Sequence, residues 1–420
     1  MEFQRVKGME DYYPSDFSTY FSIATALREQ SKKFGFEEVQ SPAVEMMKTL
    51  AAKSGDEIKG QLFCFEKKGN EELGLRFDLT VPMTRMFVSK QRELQKPVKW
   101  FSIAPMWRYE APQKGRAREF YQLSVELFGS NRAEADATCI NLLISCMQNF
   151  GLTSEDITIK INNRKLLEGL LLEVAPKEKL PSLIHLIDKV KKMKIIEFEQ
   201  ELKKLGIDGA KLEIVKKIIN IQGDSSIINS IKALKPKGEA ELGLKELEET
   251  LALVDKKYIT IDLSIARGLA YYTGNVYECF DRKGEYRSLA GGGRYDELVS
   301  LFGGESTPAT GFAIGFATLT LLLTDKNKLP KTERGPDYYI APVTESLLSK
   351  AMELADSIRK KYSVDVDLMG RKLSKQLDYA SSIGAKKVII LGDKDLAEGN
   401  VTIRDMQSGK EEKIPIKKLS

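Results

Sequence analysis

The sequence predicts an α+β fold: an antiparallel sheet flanked by helices, with a helical insertion, followed by a small α/β domain. Segments rich in aromatic and β-branched residues occur on both sides of the insertion and predict the strands of the sheet. The insertion, about residues 164–257, is rich in Leu, Ile, Lys and Glu and has few aromatic residues, which favours helices. Later, strand and helix patterns alternate. We therefore expect a first domain at 1–325, a linker at 326–336 and a second domain at 337–420.

The first part of the chain predicts one helix and then strands. Apolar residues recur at helical spacing from Pro14 to Lys33, and Gly35 supplies a stop. A second helical pattern runs from Ala133 to Phe150. Between the two helices, three segments predict strands of an antiparallel sheet. They are LRFDL at 75–79, KWFSIAPMWRYE at 99–110 and EFYQLSVELFG at 119–129, with KGRA as the loop between the last two.

After the insertion, strand signals resume. They comprise YITIDLS, NVYECFD after one further stretch, and the glycine-rich AGGGRYDEL. GFAIGFATLTLLL then predicts a strand that leads into an apolar helix, and the polar stretch DKNKLPKTERGP predicts a linker. Beyond the linker, YYIAPV begins the alternation of strands and helices that is typical of an α/β domain.

Composition excludes several classes of function. The net charge of +5 permits an acidic partner such as RNA but is too small for binding by charge alone. The only histidine, His185, lies in an apolar helical pattern, which excludes Ser-His-Asp and Cys-His catalysis. The four cysteines form no CxxC pair, so neither a zinc site nor a disulfide framework is expected. The amino terminus lacks an apolar signal-peptide core and no membrane-spanning run is present, so we expect a cytoplasmic protein with no membrane partner.

The run from Arg108 to Glu126 is the most informative segment. On a strand, Gln122, Ser124 and Glu126 share one face, so polar side chains converge on a cleft floored by the sheet. A surface hairpin with solvated charges is the alternative interpretation. The flanking aromatic residues, such as Phe120, favour a half-buried sheet, where converging polar groups are costly unless they are used.

A second informative segment is RGLAYYTG, which begins at Arg267. A guanidinium group binds a carboxylate or phosphate with two hydrogen bonds, and the hydroxyl groups of Tyr271 and Tyr272 can donate or accept. Together these groups suit a small zwitterion or a nucleotide. A strand and turn with aromatic side chains packed in the core is the alternative.

These motifs resemble those of a known family. GFEEVQSP, residues 35–42, resembles motif 1 of the class II aminoacyl-tRNA synthetases, and the run from Arg108 to Glu126 resembles their motif 2. LRFDLTVP and RGLAYYTG narrow the resemblance to the histidyl-tRNA synthetases, and the carboxy-terminal α/β domain is similar to that family's anticodon-binding domain. The resemblance implies a class II catalytic domain that joins L-histidine to ATP, with Mg²⁺, and then transfers it to tRNA(His). It also implies a homodimer built through motif 1.

The resemblance assigns roles to the arginines and their neighbours. Arg108 and Arg267 would contact the α-phosphate and the histidine carboxylate from two sides, and Gln122 would orient the groups during transfer; these three are the catalytic residues. The ATP-binding positions are Arg108, Glu110 for the adenine amino group, Arg116 and Arg118 for the distal phosphates, and Phe120 stacked on adenine. The histidine-binding positions are Asp78, Leu79, Thr80, Arg108, Gln122, Glu126, Arg267, Tyr271 and Tyr272. Among the last group, Glu126 and Tyr272 would bind the imidazole ring, and Asp78, Thr80 and Gln122 the α-amino group. Gln113 and Lys114, at the motif 2 loop, are candidates for reading the acceptor end of the tRNA.

The sequence departs from the family at two places. Motif 3 of class II synthetases ends in a Glu-Arg pair whose arginine lies over the nucleotide, and Ala317 and Thr318 stand at those positions. Ala270 replaces the aspartate that follows RGL in the family. These losses leave open a catalytically silent paralogue that regulates ATP phosphoribosyltransferase. Such paralogues generally lack the anticodon-binding domain and erode motif 2, and this chain has both.

Overall fold

The computed structural model describes residues 3–52, 60–65, 71–267, 271–331 and 335–419. The chain forms two compact units, Met1–Pro330 and Lys331–Ser420. In the described part of the chain, no helix has both the length and the apolar character needed to cross a membrane.

The larger unit is built on a nine-stranded sheet and a small three-stranded sheet. The strands in chain order are β1 Glu37–Glu38, β2 Val44–Met46, β3 Cys64–Phe65, β4 Leu73–Leu75, β5 Val98–Trp107, β6 Glu119–Phe128, β7 Ile157–Asn163, β8 Gln222–Gly223, β9 Ile259–Asp262, β10 Asn275–Asp281, β11 Ala290–Arg294 and β12 Ala309–Gly315. The large sheet has the order β1-β5-β6-β12-β11-β10-β7-β9-β8, and the small one β2-β4-β3. Only the pairs β1–β5 and β7–β9 of the described large sheet are parallel. The predicted antiparallel sheet with flanking helices is therefore confirmed.

Helices surround this sheet and make up most of the insertion. They are α1 Pro14–Lys33, α2 Met47–Ala51, α3 Thr80–Lys90, α4 Ala133–Asn149, α5 Arg164–Leu171, α6 Leu180–Lys189, α7 Ile195–Lys204, α8 Gly209–Ile219, α9 Ile228–Lys232, α10 Glu239–Leu251, α11 Leu298–Leu301 and α12 Phe316–Asp325. The predicted helix at Pro14–Lys33 is confirmed, and Gly35 follows it with φ +77°. Six of these helices, α5 to α10, lie within the segment 164–257 that we interpret as a helical insertion. The short β8 between them pairs with β9 and extends the main sheet.

One predicted strand is wrong over most of its length. LRFDL forms a strand only to Leu75, and the chain then turns into α3. The Arg76 side chain is buried and donates hydrogen bonds to the carbonyl oxygens of Pro105, at 3.2 Å, and Ser41, at 2.5 Å. Asp78 Oδ1 accepts from Val81 N at 3.2 Å, which satisfies a free amide at the start of α3. Asp78 therefore lies at a helix amino terminus rather than on a strand.

Side chains of β6 alternate between two hydrophobic clusters. Leu123 and Val125 are buried in a cluster that includes α1, α4 and the insertion helices. Phe128 belongs to the opposite cluster, where its ring stacks on Phe87 of α3 with 4.5 Å between the ring centroids. Because successive residues of a strand point to opposite faces, Glu126 lies on the face of Phe128. The fold thus sets the polar residues of β6 beneath α3 and away from the larger cluster.

The carboxy-terminal unit is a five-stranded sheet with helices. Its strands are β13 Tyr338–Pro342, β14 Val364–Val366, β15 Lys387–Leu391, β16 Asn400–Asp405 and β17 Glu411–Pro415, and its helices are α13 Leu348–Ile358, α14 Leu373–Ser382 and α15 Asp393–Ala397. The order is β14-β13-β15-β16-β17, with the first three strands parallel. The predicted α/β alternation is confirmed. The sequence pattern did not reveal β17, because this edge strand is mostly exposed and charged and so lacks an apolar face.

Candidate active site

A cavity of about 1040 Å³ lies in the larger unit, and most of the predicted site residues line it. These residues are Asp78, Thr80, Arg108, Glu110, Arg116, Phe120, Gln122, Glu126, Arg267, Tyr271 and Tyr272. They come from the hairpin β5–β6, the start of α3 and the segment before β10, which are far apart in sequence. Two predicted residues, Leu79 and Arg118, are absent from the described lining.

Two arginines converge on this cavity. Arg108 Nε donates to the carbonyl oxygen of Phe77 at 3.1 Å, and its guanidinium lies 5.0 Å from the centroid of the Phe120 ring. The guanidinium of Arg267 lies 5.5 Å from the Tyr272 ring centroid. Burial lowers the pKa of Arg108, Asp78 opposes this, and the charge of Arg267 lowers it further. The two cations therefore face the same space, and an anion between them would remove their repulsion.

Glu126 is the carboxylate at the base of the cavity. Its residue is only 1% exposed, and Tyr295 donates a hydrogen bond to Glu126 Oε2. Gly311 opposite keeps this corner open, because a Cβ there would lie 2.3 Å from Glu126 Oε2. Gln122 Nε2 donates to Ser124 Oγ at 2.8 Å on the same face of β6. The expected convergence of polar groups on one strand face is thus present.

The tyrosine pair closes the other side of this corner. The hydroxyl group of Tyr271 donates a hydrogen bond to that of Tyr272 at 3.3 Å. Tyr295 packs edge-on against Tyr271, with 6.0 Å between the ring centroids. Burial raises the pKa of Tyr271, and the nearby carboxylate of Asp78 raises it further, so its phenol stays neutral. Tyr295 was missed in the sequence reasoning. In the sequence, Tyr295 is marked only by its position in GGGRYDEL, and that position does not indicate a contact with Glu126.

The glycines of β11 support the site residues. A Cβ on Gly291 would lie 1.7 Å from Arg267 Nη1, so this guanidinium rests directly over the backbone. Gly293, with φ +155°, lies under the Tyr272 ring, and a Cβ there would approach Tyr272 Cδ1 to 2.9 Å. Successive glycines inside a strand pattern mark a close approach of another group. That signal was present in AGGGR, although the sequence alone does not say which group approaches.

The nucleotide residues of motif 2 divide into two groups. Arg116 forms an ion pair with Glu110, and both line the cavity. Arg118 instead donates to the carbonyl oxygens of Glu110, at 3.1 Å, and Lys7, at 3.2 Å. Leu79 is fully buried in the cluster beneath α3. The ligand-binding roles of all these residues remain predictions, and the Nε and Nη1 groups of Arg118 would have to leave these two carbonyls to bind phosphate.

The motif 3 positions lie at the start of α12. Thr318 and Ala317 both line the cavity, and neither carries a charge. Gly115, at the tip of the β5–β6 hairpin, packs beside it, since a Cβ there would lie 3.6 Å from Thr318 Oγ1. Ala270, the other departure from the family, lies outside the described residues.

The chain is similar to known proteins over nearly its whole length. A sequence model of histidyl-tRNA synthetase matches residues 8–319, and one of an anticodon-binding domain matches residues 337–420. A histidine–tRNA ligase of Pyrococcus furiosus is 39% identical and covers 98% of this chain and 96% of its own; one of Haloarcula marismortui is 36% identical over 99% and 96%. The crystal structure of histidyl-tRNA synthetase from Nostoc sp. PCC 7120 superposes with a TM-score of 0.82 at 25% identity, covering 100% of this chain and 99% of that one. The chain therefore belongs to the histidyl-tRNA synthetase family.

Proposed function

We propose that this protein is a histidine–tRNA ligase. In the first step, an oxygen of the histidine carboxylate attacks the α-phosphorus of ATP; the bond to the β-phosphate breaks, and pyrophosphate leaves. In the second step, a hydroxyl of the terminal ribose of tRNA(His) attacks the carbonyl carbon of the adenylate, and AMP leaves. The observation that carries the proposal is the convergence of Arg108 and Arg267 on one cavity whose base holds the buried Glu126.

The first step develops negative charge around phosphorus. Arg108 and Arg267 would lie on two sides of this centre and neutralise that charge. The charge of Arg267 lowers the pKa of Arg108, and a phosphate between the two would offset this effect. Phe120, already under the Arg108 guanidinium, offers its ring to adenine. Glu110 would accept from the adenine amino group after Arg116 moves to the phosphates, since the two are paired in the free protein.

Histidine binding uses the opposite corner of the cavity. The imidazole ring needs an acceptor for one N–H and a partner for its other nitrogen, and Glu126 and Tyr272 supply them. The carboxylate of Asp78 and the side chains of Thr80 and Gln122 are polar acceptors for the cationic α-amino group. Tyr271 completes the wall of the pocket.

The transfer step needs a base, and the described residues of the cavity wall include no histidine. We assign the proton to a phosphate oxygen of the adenylate, with Gln122 orienting the attacking hydroxyl. Gln122→Ala is expected to form the adenylate but to transfer it more slowly in a single turnover from preformed adenylate. A variant with unchanged transfer would remove this role from Gln122.

Other partners follow from the family. The unit matched by the anticodon-binding domain would contact tRNA(His) through its phosphates and anticodon bases. Among the described residues, no group of three or more His, Cys, Asp or Glu side chains could hold a metal ion. Mg²⁺ is proposed to enter with ATP and to offset the charge of its phosphates. The protein is proposed to be localised in the cytoplasm, where tRNA(His) is found.

We also propose a homodimer formed through the segment 35–42 that resembles motif 1. A twofold interface uses the same patch of both subunits, so one substitution in this segment would alter the interface at two places. Sedimentation equilibrium at working concentration is expected to give twice the chain mass of 47.2 kDa. A single-chain mass under these conditions would contradict the dimer.

The alternative is a silent regulatory paralogue. Two features favour the enzyme. Residues 337–420 match an anticodon-binding domain, and residues of the motif 2 segment line the cavity. Histidine-dependent ATP–pyrophosphate exchange, followed by charging of tRNA(His), tests the proposal directly. The enzyme is expected to show both activities, and absence of histidine-dependent exchange would favour the regulatory paralogue.

A further inference from the structure

Two segments that are distant in sequence meet at the end of the cavity lined by Arg116. One is the tip of the β5–β6 hairpin, and the other is the turn between β10 and β11. Arg287 Nη2, on the turn, donates to Gln113 Oε1, on the hairpin tip, at 2.7 Å. Beside it, Lys114 Nζ lies 6.0 Å from the centroid of the Tyr286 ring. The turn therefore holds an arginine against the hairpin at the edge of the cavity.

This end of the cavity carries more positive than negative charge. Arg116 and Arg287 both line it, and Arg116 is paired with the carboxylate of Glu110. The carboxylate of Asp281, at the start of the turn, accepts from the backbone amides of Glu285 and Tyr286. Among the described residues, Arg287 forms no ion pair with a carboxylate. Burial lowers the pKa of Arg116, and the charge of Arg287 lowers it further, so the two guanidinium groups repel each other. Two guanidinium groups of which, in the described part of the chain, only Arg116 has a carboxylate partner favour an anion that both can reach.

The opposite wall at this end supplies no charge. Thr318 and Ala317, at the start of α12, are neutral residues on the cavity lining. The hairpin tip packs against this wall, since a Cβ on Gly115 would lie 3.3 Å from Leu321 Cδ1. Among the described residues at this end of the cavity, the cations that can reach a bound anion lie on the hairpin and on the turn that carries Arg287.

We propose that Arg287 binds the distal phosphates of ATP, and pyrophosphate in the reverse direction, while Gln113 holds its guanidinium at the cavity edge. A guanidinium group presents paired donors that match phosphate oxygens, and Arg287 is exposed on a turn, so it reaches the ligand without burying an unpaired charge. The proposal rests on the proposed function, because it assigns a residue to the nucleotide of that reaction.

Steady-state histidine-dependent exchange with Arg287→Ala tests the proposal. The KM values for ATP and for pyrophosphate are expected to rise about tenfold or more, as for the loss of a charged hydrogen bond. The KM for histidine should stay unchanged, because its pocket lies around Glu126. Arg287→Lys keeps the charge but loses the paired donors of the guanidinium group. Its KM values for ATP and pyrophosphate should lie between those of the parent and those of Arg287→Ala. Arg92→Ala is the matched control, since Arg92 is an exposed arginine of the same unit that pairs with Glu305 at 3.4 Å and lies off the described lining.

Three results would overturn the assignment. An unchanged KM for ATP would show that Arg287 does not contact the nucleotide. A raised KM for ATP with an unchanged KM for pyrophosphate would place the contact on the adenosine part instead. An equal rise in the KM for histidine would indicate a general disturbance of the cavity. Absence of exchange in the unmodified protein would overturn the proposed function itself, which separates the two failures.

Discussion

Glu126→Ala is expected to abolish histidine-dependent ATP–pyrophosphate exchange, with a loss of about 10²–10⁴-fold in kcat/KM for histidine. Glu126 is a buried carboxylate at the base of the cavity, and Tyr295 already donates to one of its oxygens. A carboxylate in this corner is an acceptor that an imidazole N–H of bound histidine can use. Removing it leaves the ring nitrogen unpaired, and a buried donor without a partner is costly.

Glu119→Ala is the matched control for this prediction. Glu119 is a carboxylate on the same strand, β6, and it lies off the described cavity lining. Its removal should leave the exchange rate unchanged. Both variants should keep the circular dichroism spectrum of the parent, which separates a lost contact from a lost fold. Glu126→Ala should unfold at a somewhat lower temperature, because the buried Tyr295 hydroxyl loses its acceptor. Near-normal exchange by Glu126→Ala at low histidine concentration would refute the assignment of the imidazole pocket.

The parts of the site that depend on strand period were predictable from the sequence. Gln122 and Glu126 share one face of β6 because side chains alternate along any strand, whatever packs around it. The two arginines were assigned to one ligand by resemblance, and their meeting required the fold, since more than a hundred residues separate them. The local pattern predicts a strand through Asp78. It could not reveal that the buried Arg76 side chain donates hydrogen bonds to carbonyl oxygens of other segments and that β4 ends before it.

Other features depended on contacts between distant segments. The resemblance to motif 2 assigns Arg118 to the phosphates of ATP. Its side chain instead donates a hydrogen bond to the carbonyl oxygen of Lys7, near the start of the chain. The contact of Tyr295 with Glu126 and the contact of Arg287 with Gln113 join segments more than 150 residues apart. Period and propensity describe neighbours along the chain, so these pairings are visible only in the folded protein.

Gly291→Ala is expected to lower the exchange activity about 10²-fold or more while the protein stays folded. The new Cβ would lie 1.7 Å from Arg267 Nη1, so the guanidinium would have to move away from the position it shares with Arg108. Because the obstructing atom is the far end of a flexible side chain, the conflict is relieved by moving Arg267 and not the strand. An arginine displaced by about 1 Å no longer lies in line with the reacting phosphate.

Two other glycines of the sheet make this prediction specific. Gly292→Ala should fail to fold stably, because its Cβ would lie 2.1 Å from the backbone oxygen of Gly311 on β12. Gly223→Ala, on β8, should behave like the parent, since its Cβ would have only ordinary contacts with Ile227 at 3.5 Å or more. Circular dichroism and thermal unfolding check the fold of each variant, and exchange kinetics check the site. If Gly291→Ala keeps full activity, the guanidinium of Arg267 is not the group that acts at the phosphorus, because its present position and an alanine at 291 are sterically incompatible.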